Sequence, residues 1–315
     1  MSQIPVVSVI IPSYNYALFL PETLESVMAQ SFESWECIVV DDGSIDNTSD
    51  IVKEYQSRDA RIKYVFQENR GLSASRNTGV KHSNGKYIQL LDADDLIEPE
   101  KLKAQVEFLE RHHDYSLVYG AVRHFLKNSN KAGVFLERDM PKVSGDFHQI
   151  IPHLVNDNIF LVSAPLFEKC IFNQIGFFDE TLRSLEDWDF WFRYVLNGQK
   201  FCYLNKDYTA TQIRAHDVNM SSNHKRMWEA KKIVRQKITT YLVKTKQKCP
   251  GDLIISGTIK KNNFLIEKDK GLFAICFENW INGFLHTFKA SVMSLNPIRE
   301  YKDALYWFKY RLTRL

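Results

Sequence analysis

The chain has 315 residues, 44% of them hydrophobic and 25% charged, the balance of an ordinary soluble globular protein with room for one large α/β domain plus an appendage. No apolar run reaches the ~18 residues of a membrane span; even Gly271–Met293 is interrupted by Glu278, His286 and Lys289. The net charge of +3 hides an asymmetry: from Lys225 onward, Lys and Arg number 19 against 7 Asp and Glu, while the preceding residues hold 22 against 31.

An acidic body with a basic tail suits a catalytic domain carrying a docking segment, or one whose helices have a solvated basic face. The five cysteines (Cys37, Cys170, Cys202, Cys249, Cys276) are odd in number and lack CxxC spacing. They argue against a disulfide framework or zinc site and fit a reducing cytoplasm. Met1–Pro5 leads straight into a strand without a basic or apolar leader, so no signal peptide is expected.

The run Val6–Pro12 is short, apolar and β-branched, as a buried parallel strand is, and Ser13-Tyr14-Asn15-Tyr16 follows as a loop. Pro21 opens a helix that Leu24, Val27 and Met28 continue through Gln30. Cys37–Val40 is a second buried strand, ending in Asp41-Asp42-Gly43-Ser44, after which Asp46, Asn47 or Thr48 caps a helix through Tyr55. Ile62–Phe66 is a third strand, followed by the loop Gln67–Leu72 and a helix from Ala74 to about Lys81 capped by Ser73. Tyr87–Leu91 is a fourth, and it runs directly into Asp92-Ala93-Asp94-Asp95. Three acids in four residues repel one another and call for a cation or a donor-rich ligand, unless Asp94 or Asp95 caps a helix beginning near Leu96.

Four β-loop-α units predict a doubly wound, largely parallel sheet, whose ligands bind beyond the carboxyl ends of the strands. The polar clusters Pro12–Asn15, Asp41-Asp42, Asn69-Arg70 and Asp92–Asp95 all fall at such ends, and Arg76 is placed to approach the acids. The glycine fingerprint of a dinucleotide fold is missing after the first strand, and there is no GxxxxGK[ST]. A phosphate with its divalent cation, met by Asp94 and Arg76, is the expectation instead; Tyr14 offers a face and Asp42 an acceptor to a nucleobase.

Further on, Leu117–Ala121 and Phe125 read as another strand, with a polar loop around Asn128–Gly133. Ser163-Ala164-Pro165 is either a close backbone approach to a ligand or a plain turn. Ser184–Asp189 is a second acidic cluster opening a helix that stops at Asn197-Gly198. Its acids either complement the helix dipole or supply a general base. Phe201–Leu204 is a strand, and His216 follows in a polar segment with Arg214 and Asn219.

With these residues in hand, the chain resembles the family-2 inverting glycosyltransferases, the bacterial polysaccharide and glycan-biosynthesis type. The resemblance rests on VSVIIPSYNYALFLPETLESVMAQSFESWECIVVDDGSIDNTSDIV, QENRGLSASRNTGV, GKYIQLLDADD, GFFDETLRSLEDWDFWFRYVLNG and IRAHDVNMS, in the family's order. It implies the GT-A (nucleotide-diphospho-sugar transferase) fold, an α/β catalytic domain over 1–223 with a doubly wound, mostly parallel sheet. The tail, 224–315, falls outside the family motifs and reads from its own residues as a basic, mainly helical extension, with Gly271 and Asn296-Pro297 as punctuation. The resemblance further implies transfer of a hexosyl or N-acetylhexosaminyl group from a nucleotide-sugar donor, usually a UDP-sugar, to a glycan or lipid-linked acceptor. Pro12, Tyr14, Asp42, Asn69, Arg76, Asp92 and Ala93 match donor-binding positions. Asp94 matches the ligand of Mn²⁺ or Mg²⁺, and His216 a position that can approach the metal or diphosphate. Asp187, with Glu186 beside it, matches the carboxylate that deprotonates the acceptor hydroxyl.

The basic aromatic end Ala304–Leu315 suits the anionic inner face of a membrane; the alternative packs these helices on the catalytic domain or on a second subunit, as a homo-oligomer. A sugar nucleotidyltransferase would need a glycine-rich first loop, which Ser13–Tyr16 is not. A non-catalytic sugar-nucleotide-binding scaffold is disfavoured by keeping Asp92, Asp94, Glu186 and Asp187 together. The acidic body disfavours nucleic acid.

Overall fold

The computed structural model of the chain describes residues 4–126, 136–137, 141–216, 223–277 and 280–294. They fall into two compact units, one within Met1–Ile150 and Asn158–Asn219, the other within Ile151–Asp157 and Met220–Leu315. The polar loop around Asn128–Gly133, Asp217–Ser222, Asn296-Pro297 and the aromatic end Ala304–Leu315 lie outside the described residues.

In chain order the elements of the first unit begin with β1 (Val7–Ser13), α1 (Leu20–Met28), β2 (Trp35–Asp41), α2 (Thr48–Arg58), β3 (Ile62–Phe66), α3 (Leu72–His82) and β4 (Tyr87–Leu90). β5 (Leu96–Ile97), α4 (Lys101–Arg111), β6 (Leu117–Tyr119), β7 (Val122–Leu126), β8 (Leu136–Glu137) and α5 (Phe147–Leu154, which passes into the second unit) follow. β9 (Pro165–Glu168), α6 (Phe172–Ile175), α7 (Glu186–Leu196), β10 (Phe201–Tyr203) and β11 (Thr211–Ala215) complete it.

The main sheet has seven strands in the order β10-β6-β9-β4-β1-β2-β3. Its four N-terminal strands are mutually parallel, and β9 alone runs against its neighbours β4 and β6. β1 and β2 are buried at every position, because helices cover both faces of a parallel sheet and leave no side for polar alternation. Val7, Val9, Ile11, Cys37 and Val39 pack with Leu20, Leu24 and Val27 of α1 in the core. The GT-A expectation of an α/β, mostly parallel sheet holds.

A smaller sheet, β5-β11-β7-β8, lies in the same unit. It corrects the reading of Leu96 as a helix start: Leu96 and Ile97 pair antiparallel with Gln212 and Thr211, and the helix begins only at Lys101. Pro99 disfavours helical geometry at Glu98, and β11 takes the hydrogen bonds a helix would have used. Leu117–Ala121 with Phe125 also divides, into β6 of the main sheet and β7 of the smaller one. The break falls at Gly120, where a Cβ would lie 2.7 Å from the Thr209 carbonyl oxygen.

In the second unit, α8 (His224–Lys248), α9 (Leu253–Phe277) and α10 (Trp280–Met293) form a helical stack. Gly271, expected to punctuate, lies inside α9; a Cβ there would meet Thr287 Oγ1 at 2.6 Å, so glycine permits close packing against α10. Buried Arg235 of α8 donates to Asp269, to Asn262, and to the carbonyls of Val155 and Asn156, tying the 151–157 segment to the helices. Among the described residues no helix is long and apolar enough to cross a membrane.

Candidate active site

The parallel register of β1, β2, β3 and β4 brings their carboxyl ends to one edge. At the first, Pro12 is buried within β1 and Tyr14 is 47% exposed. Asn15 takes a left-handed conformation (φ 58°), which asparagine tolerates better than most residues. Its amide N–H donates to Ser44 Oγ and its Oδ1 accepts from Ile45 N, stitching the β1 loop to the β2 loop.

At the second end Asp42 is buried, and its carboxylate accepts from Arg70 N (2.9 Å), Gly71 N (2.8 Å) and Gln67 Nε2 (2.6 Å). A carboxylate offers about four lone-pair directions, so one is left for a ligand N–H. Asn69 is exposed in the same loop, its backbone against Gly43, which has φ +79° and where a Cβ would lie 3.0 Å from Asn69 N.

The third and fourth ends meet through Arg76. It projects from α3, is 2% exposed, and donates from Nη2 to Asp92 Oδ1 (2.8 Å) and from Nη1 to Glu186 Oε1. One guanidinium therefore joins the acid after β4 to the acid opening α7. Burial costs this cation, but Asp92, Glu186 and Asp187 more than offset it, and its pKa is raised.

Ala93 is buried, and its carbonyl accepts from Thr23 Oγ1 of α1 (2.9 Å), which holds the strand-end turn against the core. Asp94 Oδ2 is 2.8 Å from His216 Nε2. Burial, then the charge of Asp92, pushes the Asp94 carboxyl up despite the imidazole. His216 stacks on Phe19, with ring centroids 4.6 Å apart, and its Nδ1 is buried with no hydrogen-bond partner among the described residues. Among the described residues no group of three or more His, Cys, Asp and Glu side chains is assembled to hold a metal. Asp94 and His216 are the side chains here that could together offer a carboxylate and an imidazole to a divalent cation.

Sequence reasoning missed how this pair is assembled. The β5–β11 pairing continues as Arg214 N to Asp95 Oδ1 (3.3 Å) and Arg214 Nε to the Asp94 carbonyl (3.0 Å), which delivers His216 to Asp94. Asp95 is therefore a buried tie and not a helix cap. Ser163 Oγ donates to Asp95 Oδ2 (2.8 Å) and accepts from Asp92 N (3.2 Å). Burial and its two acidic neighbours raise the Asp95 pKa well above the usual carboxylate range. Of the two readings of Ser163-Ala164-Pro165, the structure shows the turn, closed by Ala164 N donating to the Leu161 carbonyl (2.9 Å), with the Ser163 hydroxyl spent on the acidic turn. Tyr16 is a further missed neighbour: burial, then Asp94, Asp92 and Asp95, push its phenol up and keep it protonated.

At α7 the two acids diverge. Glu186 is buried on Arg76, whereas Asp187 accepts from Asn158 Nδ2 (2.7 Å) and Trp188 N (2.8 Å). Burial and the adjacent Glu186, opposed by Arg76, bring the Asp187 carboxyl up to about 7. Just before them Leu185 has φ 60°, a non-glycine left-handed residue of the kind whose strain, about 1–3 kcal/mol, surrounding packing must hold.

Comparisons with known proteins follow this geometry. Residues 8–165 match the model of glycosyl transferase family 2. An uncharacterized glycosyltransferase of Rickettsia typhi is 28% identical over 74% of this chain and 74% of its own. A putative teichuronic acid biosynthesis glycosyltransferase of Bacillus subtilis is 43% identical over 33% of this chain and 42% of its own. Among solved structures, S. aureus TarS 1-349 in complex with UDP-GlcNAc superimposes with a TM-score of 0.66 at 21% identity, covering 96% of this chain and 89% of that one. A mannosyltransferase of Pyrobaculum calidifontis, in complex with GDP-Man and Mn²⁺, gives 0.57 at 16%, over 99% and 87%. With half of its length matched by one family model, and the GT-A fold carrying the paired acids at its strand ends, the chain belongs to glycosyl transferase family 2 and is a glycosyltransferase.

Proposed function

We propose that the chain is a metal-dependent, inverting enzyme that moves a sugar from a UDP-sugar to a hydroxyl of a glycan or lipid-linked acceptor in cell-surface polysaccharide synthesis. The observation that carries the reading is Arg76, which clasps Asp92 on one side and Glu186 on the other. It makes the acids after β4 and the acids opening α7 two halves of one site.

On the donor half, exposed Tyr14 offers its ring to the base, and Asp42, Asn69 and Arg76 line the way to the diphosphate. Asp92, partly exposed, serves the ribose and the water shell of the ion, with Ala93 holding the turn. Asp94 and His216 would hold Mn²⁺ or Mg²⁺, which supplies charge stabilisation to the departing diphosphate. Burial and then the charge of Asp92 raise the Asp94 carboxyl, and a divalent cation would oppose both.

On the acceptor half, Glu186 is committed to Arg76, and Asp187 is hydrogen-bonded only by neutral donors among the described contacts. A single in-line displacement needs one base on the face opposite the leaving group, and Asp187 is that base: it accepts the acceptor proton as the oxygen attacks the anomeric carbon. No covalent glycosyl-enzyme is required, and the anomeric configuration inverts. The basic helical unit supplies the contact with an anionic membrane surface on which a lipid-linked acceptor would be met.

Asp187→Asn keeps the side chain's size and removes its basicity. Turnover of a UDP-sugar is expected to fall about 10²–10⁴-fold, with UDP affinity by calorimetry within about twofold of wild type. Near-normal turnover in this variant would remove Asp187 from the chemistry.

A further inference from the structure

We infer that Asn158 is a positioning residue for the acceptor-side carboxylate, fixing the orientation of Asp187 and stabilising its ionised form; the inference rests on Asp187 being the base. Asn158 lies in the loop between α5 and β9, 29 residues from its partner. Its Oδ1 accepts from Phe160 N (3.3 Å) and its Nδ2 donates to Asp187 Oδ2 (2.7 Å). The first bond decides the second: with the carbonyl end of the amide turned to a backbone N–H, the NH₂ end is the one presented to the carboxylate.

The anchor is rigid. Phe160 is fully buried, stacked on Phe201 at 5.2 Å and edge-on to Tyr119 at 4.9 Å. Asp187 is thus held from two elements, Oδ2 by the loop and Oδ1 by Trp188 N of its own helix. Each oxygen keeps one lone-pair direction for an incoming hydroxyl.

Among the described residues the charged groups that face Asp187 are Glu186 from α7, which opposes its ionisation, and Arg76 from α3, which favours it but is shared with Asp92 and Glu186. Asn158 adds a donor without adding a charge. A lysine there would pair with the base and silence it; an aspartate would repel it. Hydrogen bonds to charged groups are worth enough to move a titration by about one pH unit or more.

The test is ¹³C NMR of the full chain with ¹³Cγ-labelled aspartate, the Asp187 resonance being assigned by its loss in Asp187→Asn. Wild type is expected to titrate near pH 7, and Asn158→Ala about one unit or more higher. UDP affinity should be unchanged, because the donor half is untouched. Asn158→Asp should move the midpoint in the same direction or further, and Asn158→Ser, which keeps a hydroxyl donor, by less; these two carry the measurement if the alanine variant does not fold. A midpoint that stays within about 0.3 of wild type in the folded variants overturns the inference. Turnover retained by Asp187→Asn sinks the base assignment itself; an inactive Asp187→Asn with an unmoved Asn158→Ala midpoint sinks only the role of Asn158.

Discussion

The acids after β4 and the acids opening α7 share one counter-ion and are otherwise built on opposite plans. Asp92, Asp94 and Asp95 crowd one turn, where burial and then the neighbouring acids raise the Asp94 and Asp95 carboxyls. Glu186 and Asp187 divide their work instead, one spent on Arg76, the other held by the neutral Asn158 amide. The first plan leaves unrelieved negative charge, which suits a site completed by a bound cation and diphosphate. The second leaves a single carboxylate for the proton transfer proposed above. The two clusters differ in their partners more than in their number of acids.

The comparison breaks most severely at Arg76. Replacing it with methionine keeps much of the volume but strands Glu186, which is 4% exposed, beside the Asp187 it adjoins. Removing one partner of a buried pair costs about 3–5 kcal/mol, to be read by urea unfolding. The double variant Arg76→Met/Glu186→Gln should recover part of that loss. A cost below about 1 kcal/mol for the single change would mean the two clusters are not joined through this guanidinium.

A smaller effect, of opposite sign on stability, is expected at Asp94. Asp94→Ala removes one charge from the crowded turn, so the ligand-free protein should melt no lower than wild type, unlike the Arg76 variant. The Mn²⁺-dependent part of UDP affinity should meanwhile fall about tenfold or more. Wild-type UDP affinity that is equal with and without Mn²⁺ would remove the metal from the donor half.

Much of this was legible from local sequence, and the rest was unreadable for a specific physical reason. The runs Val7–Ile11 and Cys37–Val40 announce a parallel sheet because burial on both faces forbids polar alternation. The acids at the ends of those strands then follow from topology. What local pattern could not carry is pairing across long separations. A two-residue strand such as Leu96–Ile97 has no period to detect, so Asp95 reads as a helix cap when its partners are Ser163 and Arg214, 68 and 119 residues away. Asn158 sits in a plain loop sequence, and its role exists only once α7 is folded against it. Gly271 read as a stop because glycine ends helices more often than it lets two of them touch.

The smallest expected effect separates the two plans by pH. A base must be unprotonated to work, and the Asp187 carboxyl is raised to about 7. With saturating metal and donor, log kcat/KM should therefore climb with pH up to about 7 and level off above it, with unit slope on the acid side. Stability should run the other way. A carboxyl whose folded pKa lies above its unfolded value near 3.9 binds its proton more tightly in the native state. Its contribution is fully present below about pH 4 and is lost as pH rises through about 7. Asp187→Asn, uncharged throughout, lacks that loss, so the melting temperature of wild type should drop relative to the variant between about pH 4 and pH 7 and level off above that. Activity gained and stability surrendered over one pH interval, both abolished by one substitution, would mark Asp187 as the strained carboxylate of the pair; parallel melting curves for the two proteins would place the titrating group elsewhere.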